Sequence, residues 1–351
     1  MITPLKEDKS ISRIKHLLAS ADKIVALTHT NPDGDAIGST TALSAVLQRL
    51  GKTVNIITPD MMLGSLRTVP GAKDVIDATK YPDFAEKLIA EAELIVCLDF
   101  NDLKRIGRLA EFVEKSGAPK ILIDHHLHPG DFPDVMISRP EMSSTCFLLF
   151  RVLCALEMFD YIDRDAATSI LTGMMTDTGN FSFNCSDPEL YIVVAELIRK
   201  GADKEKIYRQ QFETHSLDCL RLNAFALLNR MEVSKTDGCA MIYLSRSELN
   251  RFHYSKGDTE GLVNKPLSIP GIVVSAFLRE EDGFVKVSMR SVGDVPVNAI
   301  CKDYFGGGGH LNAAGGEYEG SLEECTSFFR SKMREIHQKY ISADRSGKFN
   351  K

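Results

Sequence analysis

The sequence predicts an α/β protein of two unlike domains, on the strength of its length, the alternation of apolar runs with helical patterns in its first half, and a change of texture after Met231. At 351 residues it exceeds what one ordinary core holds together. Ile24-Val25-Ala26-Leu27 reads as a buried strand, residues 36–50 as a helix stopped by Gly51, and residues 53–58 as a second strand. Residues 94–98 and 121–123 repeat the strand pattern, with a helix expected over 103–115 between them. Further helices are expected over 144–156 and 165–175. Strands that are apolar throughout are covered on both faces, which implies a parallel sheet flanked by helices.

Residues 187–230 look helical and carry no evident chemistry, so they are expected to be a connector between domains 1–186 and 231–345. Residues 240–244, 272–278 and 284–290 then read as strands, 306–309 as a glycine-rich loop and 321–340 as a last helix. That mixture predicts a smaller α+β domain. The polar tail after Ser342 is expected to fray.

Hydrophobic residues at 44% and charged residues at 26% are those of a globular protein. No apolar run approaches the roughly 20 residues that span a bilayer. The start, MITPLKEDKS, lacks the apolar core of a signal peptide, so a cytoplasmic protein without membrane partners is expected. Its eight cysteines are scattered without a C-x-x-C pair, several inside apolar runs, as reduced core thiols are. A net charge of −6 argues against gripping long duplex nucleic acid, while leaving room for a small phosphorylated substrate in a local pocket.

The chemistry gathers where strands end. The first strand runs into His29-Thr30-Asn31-Pro32-Asp33-Gly34-Asp35, and in open parallel sheets ligands lie beyond the carboxyl ends of strands. One imidazole and two carboxylates here suit Mn²⁺, Mg²⁺ or Zn²⁺, although an aspartate at such a turn also serves as a helix cap. Asp99 follows the strand 94–98, and Asp124-His125-His126 follows 121–123. Asp177 ends an apolar helix, where a carboxylate opposes the helix dipole unless a cation lies nearby. Together these loops offer more ligands than one structural zinc needs, and two adjacent cations are the better fit. Two-metal sites of this kind serve phosphoryl hydrolysis.

At this point the chain resembles the DHH phosphoesterases. H-x-N-P-D-x-D at His29–Asp35, the strand-end Asp99, D-H-H at Asp124–His126 and T-D-T-G at Thr176–Gly179 are similar to that family's motifs. Gly306-Gly307-Gly308-Gly309-His310-Leu311-Asn312-Ala313-Ala314-Gly315 resembles the G-G-G-H-x-x-A-A-G signature of the accompanying DHHA1 domain. The resemblance implies a catalytic metal-binding domain followed by a substrate-binding domain, with the active site in the cleft between them. It implies that His29, Asp33 and Asp99 ligate one divalent ion, and that Asp35, His125 and Asp177 ligate a second, with Asp99 bridging. Mn²⁺ is the expected metal, and Mg²⁺ is compatible with the same donors. His126 is implied to sit beside the scissile phosphate, while Arg290, Gly307, Gly308, Gly309 and His310 are implied to hold the substrate. Asp124 orients an imidazole or closes its turn; Asn180 and Asn264 have no derived role.

Chain length and motif set resemble the branch that degrades very short 5′-phosphorylated RNA and removes the 3′-phosphate of adenosine 3′,5′-bisphosphate (pAp). The expected partners are therefore short single strands or a nucleoside bisphosphate, and a homodimer is left open. Phosphoanhydride hydrolysis, of polyphosphate or pyrophosphate, is the alternative within enzymes. A catalytically silent nucleotide-binding regulator is the alternative outside them.

Overall fold

The structure, a computed structural model, describes Leu5 and residues 8–62 and 64–342; the tail expected to fray lies outside them. Contacts divide the chain into two units, Met1–Thr214 and His215–Lys351. The division falls inside the stretch 187–230 expected as a connector.

The first unit contains α1 (Asp8–Ser20), β1 (Lys23–Leu27), α2 (Gly34–Arg49), β2 (Thr53–Thr58), β3 (Ile76–Asp77), α3 (Pro82–Ala90), β4 (Leu94–Leu98), α4 (Leu109–Lys115), β5 (Lys120–Asp124), β6 (Val135–Ser138), α5 (Thr145–Ala155), α6 (Arg164–Asp177), α7 (Pro188–Arg199) and α8 (Lys204–Phe212). Its six strands lie in the order β3-β2-β1-β4-β5-β6, all parallel. Alternate residues of the central strands face two separate cores. Ile24, Ala26, Val96, Leu98, Ile121 and Ile123 pack with α1, α2, α5 and α6. Val25, Leu27, Ile95, Cys97 and Leu122 pack with α3 and α4. Double coverage explains why these strands are apolar throughout.

The strand order places a switch point between β1 and β4: the chain builds outward from β1 through β2 and β3, then returns to its other side. Neighbouring loops diverge there and leave a crevice at the carboxyl edge. Register then levels the two strand ends. Leu27 pairs with Cys97, so His29 and Asp99 each stand two residues beyond the last pair.

Asp35 and Asp177 meet because α2 and α6 pack unusually closely. A Cβ at Gly38 would lie 2.5 Å from the Ser169 carbonyl oxygen, and one at Gly173 would lie 2.7 Å from Asp35 Oδ1. These small positions bring the first turn of α2 beside the last turn of α6.

Two expected elements take a different form. The single helix over 103–115 is a 3-10 turn, Leu103–Ile106, followed by α4, because the chain turns left-handed at Gly107 (φ 55°). The Arg105 carbonyl meanwhile accepts the Thr30 N–H at 2.7 Å, tying this turn to the loop that carries His29.

The second unit contains α9 (Leu217–Asn229), β7 (Met231–Ser234), β8 (Cys239–Leu244), α10 (Arg246–Arg251), β9 (Val274–Glu280), β10 (Phe284–Ser291), α11 (Val297–Phe305), β11 (Gly308–His310), β12 (Ala313–Glu319) and α12 (Leu322–Ile336). The sheet order is β11-β12-β10-β9-β8-β7, with β8 and β9 parallel and the other pairs antiparallel. Met241, Ala276, Val287 and Met289 bury one face against Ile300, Phe305, Phe329 and Met333 of α11 and α12. Half of the expected glycine loop is therefore strand. A Cβ at Gly307 would overlap the Gly315 carbonyl oxygen, so tight backbone packing against β12 requires glycine there, apart from any ligand.

The α2–α6 approach is testable. Gly173→Ala forces its methyl against Asp35 and Cys146 and is expected to cost about 1–3 kcal/mol. Gly64→Ala, which meets nothing within 4 Å, should stay within about 0.5 kcal/mol. Equal denaturation midpoints for both variants would contradict this packing.

Candidate metal centre

The residues gathered at the switch point come from four segments. Asp33 is the N-cap of α2: its Oδ1 accepts the N–H groups of Asp35 and Ala36 at 3.0 Å each. Its Oδ2 faces His29 Nε2 at 3.9 Å, and the side chain is 55% exposed. Asp33 thus performs the capping role that the sequence allowed while also joining the cluster.

His29 hydrogen-bonds the Thr30 carbonyl oxygen through Nδ1 at 2.7 Å, and His125 hydrogen-bonds that of Met142 at 3.1 Å. Carbonyls only accept, so each Nδ1 carries the proton and, in the neutral ring, each Nε2 presents a lone pair. His29 Nε2 lies 3.5 Å from Asp99 Oδ2. His125 Nε2 lies 3.3 Å from Asp177 Oδ2, 3.6 Å from Asp99 Oδ1 and 4.0 Å from Asp35 Oδ2. Lone pairs and carboxylate oxygens converge here at separations longer than most of the molecule's hydrogen bonds. Such an array is repulsive unless protons or a cation occupy its centre.

Acidities report the same stress. Burial first, then the charges of Asp35 and Asp33, pushes the Asp99 carboxyl well above the usual carboxylate range. Asp177 rises likewise through loss of bulk water and the nearby charges of Asp35, Asp33 and Asp99, although its side chain is 27% exposed. Asp35 is raised by burial, which outweighs the opposing pull of His125 and of the Cys146 N–H. Asp99 also adopts a left-handed backbone (φ 65°), a strained conformation that aspartate tolerates better than most residues.

Among the described residues, three groups of side chains could each hold a cation: His29, Asp33 and Asp99; Asp35, His125 and Asp177; and Asp99, His125 and His126. The first two are the sets expected from the sequence, with Asp99 between them. Oxygen and imidazole donors without thiolate suit Mn²⁺ or Mg²⁺. The donor chemistry and the crowding of acids both fit divalent ions.

His126 differs from its neighbour. Its Nδ1 meets Asp124 Oδ1 at 2.7 Å, and its N–H donates to Asp124 Oδ2 at 3.0 Å. Asp124 therefore both orients an imidazole and closes the turn. Burial disfavours the charged ring, but the Asp124 hydrogen bond and the Asp99 charge prevail and raise its pKa above the ordinary histidine value. The rings of His125 and His126 are inclined at 64°, so their nitrogens serve different directions.

Sequence reasoning missed Thr145 and Cys146. Their backbone N–H groups donate to Asp35 Oδ2 and Oδ1 at 2.5 and 2.9 Å, and the Thr145 hydroxyl donates to Asp99 Oδ1 at 2.9 Å. The visible signal was Ser143-Ser144-Thr145 before an apolar helix, which reads simply as a helix start.

In the second unit, Arg290 pairs across the sheet with Ala313, which pairs with His310. Directly paired residues share a face, so the arginine and histidine stand in one row. Burial holds the Arg290 guanidinium below its ordinary range, and no carboxylate lies within ion-pair distance of it among the described residues. Of the glycines expected at the substrate, Gly308 faces open space, whereas Gly307 and Gly309 are pressed against β12. Asn180 accepts a hydrogen bond from Lys204 Nζ at 3.0 Å, and Asn264 lies in the 3-10 segment Leu262–Ser268.

Residues 23–174 match the family model for the DHH family, N-terminal domain, and residues 240–338 match the DHHA1 domain. The chain is 32% identical to the bifunctional oligoribonuclease and PAP phosphatase NrnA of Thermus thermophilus, over 87% of this chain and 86% of that protein. The crystal structure of an exopolyphosphatase-related protein from Bacteroides fragilis superposes with a TM-score of 0.93 at 44% identity, covering 96% of this chain and 99% of that one. Manganese-bound RecJ from Thermus thermophilus superposes at 0.57 with 14% identity, covering 97% of this chain and 56% of that one, a likeness of fold alone.

Saturating Mn²⁺ is expected to raise the thermal midpoint, through about 2.7 kcal/mol of stabilisation for each ion bound at a hundredfold excess over its Kd. Asp99→Asn, which tolerates the left-handed backbone, should fold without metal but lose most of this rise. A full rise in the variant, read by calorimetric melting, would contradict the assignment.

Proposed function

This chain belongs to the DHH family of phosphoesterases, with a DHHA1 domain in its second unit, and we propose that it hydrolyses short 5′-phosphorylated oligoribonucleotides and the 3′-phosphate of pAp. The observation that carries the proposal is the complete array of His29, Asp33, Asp35, Asp99, His125 and Asp177 in a chain similar to an oligoribonuclease and pAp phosphatase over most of both lengths.

In this reading His29, Asp33 and Asp99 would hold one divalent ion, and Asp35 and His125 with Asp177 would hold a second, with Asp99 within reach of both. Divalent ions there, Mn²⁺ by preference, supply Lewis-acid activation of water and neutralise phosphoryl charge. The protein does the rest. Asp124 fixes His126 at Nδ1, so the remaining nitrogen serves the substrate. A water oxygen bonds to phosphorus and gives one proton to solvent, the ester bond to the nucleoside oxygen breaks, and His126 gives its proton to that leaving oxygen and regains one from solvent. Arg290 and His310, on one row of the second sheet, bind substrate phosphate, and a half-buried guanidinium with no carboxylate in ion-pair distance among the described residues suits that task.

Phosphoanhydride hydrolysis is the second reading, favoured by the 44% identity to the exopolyphosphatase-related protein. A silent regulator is disfavoured because the donor set is complete.

With Mn²⁺, the purified protein is expected to turn over pAp and 5′-phosphorylated dinucleotides, and to leave polyphosphate and pyrophosphate intact. Turnover confined to the latter pair would replace the proposal with the second reading. His126→Asn should lower kcat on pAp by about 10²–10⁴-fold while Mn²⁺ binding persists. Loss of metal along with activity would mean that His126 is a ligand instead.

A further inference from the structure

The amino-terminus of α5 is built into the metal centre unevenly. An 11-residue helix leaves its first N–H groups without intrahelical partners. The hydroxyl of Ser144, the N-cap, accepts the Phe147 N–H at 3.0 Å. The N–H groups of Thr145 and Cys146 go to the two oxygens of Asp35, a residue more than a hundred positions away. The Thr145 hydroxyl goes to Asp99 Oδ1, the oxygen facing His125, and not to Oδ2, which faces His29. All these groups are buried.

We propose that Thr145 is a positioning residue that preforms one half of the centre, the pocket of Asp35, His125, Asp177 and the Oδ1 side of Asp99. The inference rests on the metal-centre reading above. Free carboxylates in this crowd would rotate apart to relieve repulsion; Asp35 is pinned through both oxygens, and Asp99 through one. The other pocket has a looser arrangement. Asp33 is pinned only through Oδ1, the atom that caps its own helix, and its side chain is largely in solvent. Outer hydrogen bonds that aim a ligand typically matter by 10–100-fold in metal affinity. Removing the hydroxyl alone therefore weakens one of two sites and spares its neighbour.

The test is Mn²⁺ titration by calorimetry of wild type, Thr145→Val and Thr145→Ser, with metal-free melting as a control for folding. Valine keeps the shape and the backbone N–H but lacks the donor; serine keeps the donor. Wild type is expected to bind two ions. Thr145→Val should bind one with wild-type affinity within about threefold and the other 10–100-fold more weakly, and Thr145→Ser should restore both. Unchanged affinities in Thr145→Val, equal weakening of both sites, or failure of serine to rescue would overturn the inference while leaving the metal centre standing. A wild-type protein that binds no Mn²⁺ would overturn the centre itself.

Discussion

The constraint on which the rest depends is the crowding of two buried carboxylates, Asp35 and Asp99, with Asp177, which stays partly open to water. Burial drives each above its ordinary pKa; neighbouring carboxylates add to it for Asp99 and Asp177, whereas for Asp35 burial prevails against the opposing pull of His125 and of backbone N–H donors. A fold does not gather acids in this way for stability, since separating them would be more favourable. The arrangement becomes coherent once positive charge is added, and the histidines prepare for it: each is held at Nδ1 by a carbonyl and turns Nε2 inward.

Several features of the first unit work against that repulsion. The β1–β4 register brings His29 level with Asp99 at the switch point. Small residues let α2 and α6 approach until their terminal acids meet. The α5 amino-terminus supplies donors to two of the acids. Stability and chemistry are thereby linked in one place, and strain such as the left-handed Asp99 lies at the centre of it.

What the sequence revealed follows from where its signals are local. Apolar runs of three to five residues that lead into His29, Asp99 or Asp124 announce both the strand and the chemistry at its end, so the ligand candidates were legible. The same runs disclosed double coverage and hence a parallel sheet. Strand order was not legible, because β3 and β6 are short and carry little pattern. Thr145 escaped notice since its partners lie 110 and 46 residues away, and a threonine opening a helix looks ordinary. The break at Gly107 was hidden by helical spacing on both sides. The glycine run read as a loop that holds substrate, whereas its tight fit against β12 depends on residues that sequence spacing cannot place.

The most direct measurement is anomalous scattering at the manganese edge from crystals grown with Mn²⁺. The account predicts two peaks, one within reach of His29 and Asp33 and one within reach of Asp35, His125 and Asp177, with Asp99 touching both. A single peak elsewhere, or none at these side chains, would contradict it.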